Sequence, residues 1–305
     1  MWTHSFKAMN TRFRLWLDAQ EPRARAALVQ AETFVRDAEA MLSRFRQDSV
    51  LSQVNRAPGR WHRIPPLMAE IVREALYWAR ETDGIFDPTL LHAMLAAGYD
   101  RSFEDLGEEV RPSSRRRATV RPGGWRDVQV EGDMLYLPPD VGLDLGGIAK
   151  EWVADRVAEM LAEWGACLVD AGGDIRAIGA PALWGTWPIA VADPRCPERD
   201  IARFGLSNGA VATSSRTRRT WKVNGRRAHH IIEPTTGKPA DTPVLSATVI
   251  APTTVIAGVF SKVLLVRGDR QLRLLEHCPG CQAILVYEDA SIPVRYSPSP
   301  EVAYA

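Results

Sequence analysis

Four short segments of this chain combine glycine with acids, bases and hydroxyls at spacings that chemistry can use. The first is Thr82-Asp83-Gly84-Ile85-Phe86-Asp87-Pro88-Thr89. Its Asp and Thr either cap the helix that follows or face a ligand. The second, Leu143-Asp144-Leu145-Gly146-Gly147-Ile148-Ala149-Lys150, reads as a strand end, paired glycines and a helix start. Such a junction is an anion site, because backbone N–H groups converge where the helix dipole is positive. Lys150 adds a charge there. The third, Asp170-Ala171-Gly172-Gly173-Asp174-Ile175-Arg176, is a turn where glycine lets the backbone approach a ligand, although a tight turn needs none. The fourth is His229-His230-Ile231-Ile232-Glu233-Pro234-Thr235-Thr236-Gly237-Lys238-Pro239. A strand here sends the two imidazoles to opposite faces, so one can face a site as a general base. A surface histidine pair is the plainer alternative.

Elements of both kinds must position these segments. Arg12–Asp18 alternates Phe13, Leu15 and Leu17 with Arg14 and Trp16, a strand pattern. Residues 22–42, 65–82, 90–97 and 148–163 carry apolar side chains at helical spacing. So do 253–266 and 270–277. Val128–Val130 and Met134–Leu137 form a hairpin across Glu131-Gly132-Asp133. Strands are expected over 167–170, 175–178, 187–191, 210–213, 220–223, 229–232, 245–251 and 283–287. Irregular interleaving gives an α+β, or mixed α/β, fold class. Residues 100–124 are polar and read as an exposed excursion, with the basic run Arg115-Arg116-Arg117.

Composition narrows the classes. The 305 residues carry 38 Lys+Arg against 37 Asp+Glu, a net charge of +1 that argues against a general nucleic-acid binder. No apolar run reaches the length that crosses a bilayer. Neither a secretory signal nor a lipid-attachment cysteine stands at the start, so a cytoplasmic location is expected as given, or a periplasmic one if a leader was removed. Cys278-Pro279-Gly280-Cys281 is a CxxC without the second pair that a metal knuckle requires. A helix-to-strand turn is favoured there over a redox or metal module.

Taken in order, these segments resemble one family. Met9-Asn10-Thr11, Ser43-Arg44-Phe45, Asp48-Ser49 with Asn55, the 84–89 and 144–150 segments with Asp155, the 171–176 turn, Ala212-Thr213-Ser214 and 230–237 follow the motif order of the ApbE family, the FAD:protein FMN transferases. The resemblance runs from about residue 5 to residue 290. It implies an ApbE-like fold of two interlocked α/β subdomains, with the whole chain acting as one FAD-binding domain. It implies a reaction: a Thr or Ser hydroxyl of a flavin-accepting target protein attacks the FMN-side phosphorus of FAD, and AMP leaves. Catalysis is then a matter of neutralising a pyrophosphate and placing the nucleophile in line. Met9 and Phe45 match positions that contact the flavin. Ile85, Phe86 and Asp87 match an FAD-binding stretch, and Asp144 and Lys150 match FAD contacts flanking the Gly-Gly turn. Gly172, Gly173, Asp174 and Thr213 belong to motifs that the match assigns to FAD. Gly147 matches a position whose carbonyl faces a Mg²⁺ ion, and His230 matches the general base.

The departures concern that cation. The family usually carries Asp where Gly258 stands and Thr where Lys262 stands, an i, i+4 pair of oxygen ligands on one helix face. An ammonium about 4 Å from a divalent ion is repelled by roughly 8 kcal/mol at an effective dielectric of about 20, so Mg²⁺ is disfavoured here. Three readings of Lys262 stand: it replaces the metal at the pyrophosphate, it marks a catalytically dead FAD-binding paralogue, or it snorkels from a helix surface. Hydrolysis of FAD to FMN and AMP is a further alternative activity. Other departures are Asn10 and Glu151 for Gly, Ser215-Arg216 for Gly-Asp, and Glu233 for Asp.

Overall fold

A computed structural model describes residues 1–21, 23–110, 121–223, 225–289 and 293–297. Six α-helices lie among them: α1 (Arg23–Leu42), α2 (Val50–Arg56), α3 (Pro66–Glu81), α4 (Leu91–Ala96), α5 (Ala149–Ala162) and α6 (Thr254–Arg267). The chain divides into two compact units. The first comprises Met1–Asp37, Lys150–Ser215 and Thr242–Ala305; the second comprises Ala38–Ala149 and Arg216–Asp241.

The first unit is built on an eight-stranded sheet. Its strands are Trp2–Ala8, Thr11–Asp18, Ala166–Ala171, Ile175–Ile178, Gly209–Ser215, Val244–Ala251, Gln282–Tyr287 and Val294–Tyr296, and they lie side by side in that chain order. Every neighbour pairing is antiparallel. The alternation read at Arg12–Asp18 has its physical counterpart here: Phe13, Leu15 and Leu17 are fully buried. Each such side chain contributes about 1.5–3 kcal/mol on leaving water. α6 packs on the Gly209–Ser215 and Val244–Ala251 strands and buries Val255, Ala257, Val259, Phe260, Val263, Leu264 and Leu265. A helix apolar nearly all round belongs inside a core. Lys262 is half-buried on this helix. A hairpin of Trp187–Asp193 and Cys196–Leu206 adds Trp187, Ile189 and Val191 to the buried set.

The second unit packs α3 through Met68, Ile71, Val72, Ala75 and Ala79. It also holds a small sheet of Arg60–Arg63, Met134–Leu137 and Gln129–Glu131, which includes the expected hairpin. A second sheet joins Arg226–His229 to Thr220–Val223, and the latter to Glu109–Val110 in parallel. Tyr99, Trp221 and Ala228 form a buried cluster against which Phe45, Met94 and Val110 pack.

Two expectations need correction. The strand expected through 229–232 breaks after His229 and resumes as the two-residue strand Ile232–Glu233, so His230 sits in a bend. The bend arises because the chain turns back at once to pair Ile232–Glu233 with Lys238–Pro239. The 270–277 helix is a 3₁₀ stretch over Gly268–His277. It runs into Cys278 and Cys281, which are joined by a disulfide across the expected turn. Within the 100–124 excursion, residues 100–110 hold a 3₁₀ turn and the Glu109–Val110 strand, with most side chains exposed. The basic run at 115–117 lies outside the described residues.

Candidate functional site

In the first unit, α5 opens with Lys150 and Glu151, and both side chains point into a cluster of charges. Lys150 is ion-paired with Asp174, and its ammonium lies 3.9 Å from Glu151 Oε1. Lys262, reaching across from α6, donates to the same Glu151 oxygen at 2.7 Å and to the Gly258 carbonyl at 3.0 Å. Burial opposes ionisation of Glu151, but the Lys150 and Lys262 ammoniums outweigh it and hold the carboxyl below its ordinary range. Asp174 also accepts the Thr213 backbone N–H at 3.3 Å, and Thr213 Oγ1 meets Thr248 Oγ1 at 2.9 Å. Lys150, Asp174, Thr213 and Lys262, four of the residues marked from sequence, are thereby brought together around Glu151.

The glycine turn beside Asp174 has a steric cause. Gly172 has φ +72°, and a Cβ there would collide with Thr11 Oγ1. Gly173 donates its N–H to Asp170 Oδ1 at 2.7 Å. Thr11 ends a two-residue hairpin turn in which Met9 (φ 51°) and Asn10 (φ 55°) are both left-handed. Asn tolerates that conformation better than most residues, which accounts for Asn10 in place of Gly. So Met9 and the Gly172-Gly173 turn are neighbours through Thr11.

In the second unit, Asp144 is the hub. Its Oδ1 accepts the Gly146 N–H at 2.8 Å, its Oδ2 takes Arg44 Nε at 2.9 Å, and its own N–H donates to the Pro88 carbonyl at 2.8 Å. The last bond joins the 84–89 and 144–147 segments. Asn55 clamps Leu143 with two hydrogen bonds of 2.8 Å. The Arg44 guanidinium donates to the Tyr99 carbonyl at 2.9 Å and lies 4.1 Å from the Phe45 ring centroid and 4.7 Å from that of Tyr99. Asp87 is buried and binds the Thr89 N–H and hydroxyl, an Asx turn ahead of α4. Burial raises its pKa against those bonds. Phe86 is buried and Ile85 half-buried, while Gly147 stands in the turn before α5.

The two histidines differ in burial. His229 is buried, its Nε2 lies 3.1 Å from the Ala240 carbonyl and its Nδ1 accepts the Ile231 N–H at 3.3 Å. Donor and acceptor roles are thereby fixed for a neutral ring, and burial pushes its pKa down. His230, half-buried in the following bend, is the more accessible of the pair.

The ligand set implied for Mg²⁺ does not fit these residues. Gly258 offers no carboxylate, and the Lys262 ammonium already occupies the Gly258 carbonyl and the Glu151 carboxylate. Among the described residues no group of three or more His, Cys, Asp or Glu side chains could hold a metal ion. Sequence reasoning quoted Arg44 without a role and missed Tyr99 and Trp221. The Ser43-Arg44-Phe45 motif was the available signal for Arg44. Tyr99 lies in an unpatterned segment, and the strand expected over 220–223 gave Trp221 a conformation but no role.

The antiparallel meander with helices packed on it defines an α+β protein. The ApbE family profile matches residues 9–285, and the chain belongs to that family. Proteins from Treponema pallidum and Haemophilus influenzae named FAD:protein FMN transferase are 28% and 31% identical to it. The first alignment covers 92% of this chain and 82% of the relative; the second covers 81% and 74%. The crystal structure of the ApbE protein from Thermotoga maritima superposes with a TM-score of 0.83 at 27% identity, covering 97% of this chain and 96% of that one. The Pseudomonas stutzeri flavinyl transferase ApbE gives 0.79 at 25%, with coverages of 96% and 94%. The expected ApbE-like fold is therefore the observed one.

Proposed function

We propose that this chain is an FAD:protein FMN transferase, moving FMN from FAD to a Thr or Ser hydroxyl of a target protein and releasing AMP. The family match over residues 9–285 carries the reading. FAD contacts are assigned to Met9, Lys150, Gly172, Gly173, Asp174 and Thr213 in the first unit. Phe45, Ile85, Phe86, Asp87 and Asp144 are assigned to it in the second. Phe45 offers a ring face for stacking. Asp144 already spends both carboxylate oxygens on Gly146 and Arg44, so its share in FAD binding is to shape the Gly146-Gly147 turn.

His230 takes the proton of the target hydroxyl, whose oxygen attacks the FMN-side phosphorus. The bond from that phosphorus to the bridging oxygen breaks, and the oxygen leaves with AMP. Lys150 and Lys262 offset the pyrophosphate charge.

Incubation with FAD and a Thr-bearing acceptor protein, with and without EDTA, tests this. A covalent fluorescent flavin band on the acceptor and stoichiometric AMP are expected. Tight FAD binding without AMP would support a second reading, a non-catalytic FAD-binding protein, which Lys262 at a metal-ligand position favours. FMN and AMP without a labelled acceptor would mean that water takes the place of the hydroxyl.

A further inference from the structure

The side chains around Lys262 fit closely against one another. A Cβ on Gly258 would lie 2.7 Å from Glu151 Cγ and 2.9 Å from Glu151 Oε1, closer than real Cβ atoms come. A side chain at 258 would therefore force the Glu151 side chain out of the position in which it binds Lys262. The carboxylate that the resemblance leads one to expect on α6 is absent, and Lys262 binds a carboxylate on α5 instead. Glu151 is 3% exposed and Lys262 20% exposed, so the acid is buried and the lysine half-buried. An ammonium has three N–H donors. The Glu151 oxygen and the Gly258 carbonyl take two. Ser261, which also donates to the Gly258 carbonyl at 3.0 Å, and Ser214, 2.9 Å from the Ser261 hydroxyl, fix the α6 turn that carries the lysine.

We infer that the Lys262 ammonium, held by Glu151 in the space that Gly258 leaves open, is a built-in cation for the FAD pyrophosphate and makes this site independent of divalent metal. Lys262 touches the phosphate, and Glu151 is a positioning residue that acts through it. The inference rests on the proposed use of FAD. It needs no co-reactant, because a fixed charge replaces a dissociable one.

The test is FAD affinity, read by quenching of flavin fluorescence on the full chain in excess EDTA and in Mg²⁺, with thermal melts to follow folding. The wild-type affinity is expected to agree within about twofold in the two conditions. Lys262→Met should weaken it about 10- to 100-fold in both, the loss of a charge-assisted hydrogen bond. Glu151→Gln should weaken it comparably, and the double variant little further, since the two act as one unit. In Glu151→Gly/Gly258→Asp/Lys262→Thr, Mg²⁺ should restore affinity about tenfold over EDTA. A tenfold gain of wild-type affinity on adding Mg²⁺ would overturn the inference, as would wild-type affinity in a folded Lys262→Met variant. Calorimetric titration of Mg²⁺ alone into the ligand-free chain reads the metal independently of the flavin: saturable heat in the wild type counts against the inference, and heat only in the triple variant supports it. Absence of FAD binding in every condition would instead sink the transferase reading.

Discussion

Replacing Arg44 by Met keeps the length of the side chain and removes its charge and its fork. Arg44 is 7% exposed and Asp144 11%, so the pair is shielded from water. The variant loses the 2.9 Å bond to Asp144, the 2.9 Å bond to the Tyr99 carbonyl and the stacking on Phe45 and Tyr99. The Asp144 carboxylate is then left with the Gly146 N–H as its donor on the described side chains and backbone. Breaking a buried pair by removing one partner costs about 3–5 kcal/mol, and lost cation–π stacking adds about 1 kcal/mol where it is not already counted. A destabilisation of about 4 kcal/mol is therefore expected, a large share of the roughly 5–15 kcal/mol that holds a folded domain. Arg44→Lys keeps the charge but cannot bond Asp144 and Tyr99 in one plane, and should cost about half as much. Urea unfolding followed by circular dichroism, with FAD affinity measured on the folded protein, is the assay. Both variants should lose FAD affinity, since Phe45 rests on the guanidinium. A cost below about 1 kcal/mol for Arg44→Met, with FAD affinity unchanged, would refute the reasoning that Arg44 supports Asp144 and Phe45, the residues proposed to bind FAD in this unit.

Three further expectations are simpler. His230→Gln should reduce flavin transfer by at least about 100-fold while leaving FAD affinity within a few-fold, a split read by AMP release against fluorescence titration. Gly172→Ala should lower stability by about 2–4 kcal/mol, from the left-handed φ and the collision with Thr11, as seen in a thermal melt; a neutral effect would mean that the turn is not held as described. Because burial depresses the pKa of His229, its contribution to stability is full above the ordinary histidine pKa of about 6.5 and is lost as the pH falls below that value toward the folded pKa. His229→Gln should flatten that acid limb of the stability curve, and an unaltered limb would place the titration elsewhere.

The strand pattern of Arg12–Asp18 was legible because a half-buried strand must alternate, and α3 because its apolar stripe recurs at helical spacing. Cys196–Leu206 was not, since Glu198, Arg199, Asp200 and Arg203 interrupt any alternation and only Ala202 and Leu206 are buried; its pairing with Trp187–Asp193 decides its conformation. Val50–Arg56 hides in a polar stretch, stabilised by the Ser49 cap rather than by a long apolar face. At the site, glycine pairs and the Lys262 substitution are local facts of sequence. That Glu151 fills the space over Gly258 is a fact of packing between two helices far apart in the chain, and no spacing rule states it. The disulfide between Cys278 and Cys281 likewise follows from the closeness of a turn and not from the motif, which equally suits a metal or redox role.

The sheet of the first unit has a consequence for synthesis. Thr11–Asp18 finds its second neighbour only in Ala166–Ala171, with Phe13 opposite Ala171, and the second unit's long segment Ala38–Ala149 is translated in between. A nascent chain must therefore keep a two-stranded ribbon with an apolar row waiting while the larger segment of the second unit emerges from the ribosome. Pairings of such long separation close slowly and leave a sticky edge open, so yields of recombinant material should depend on temperature and holdase chaperones more than the stability of the finished fold would suggest.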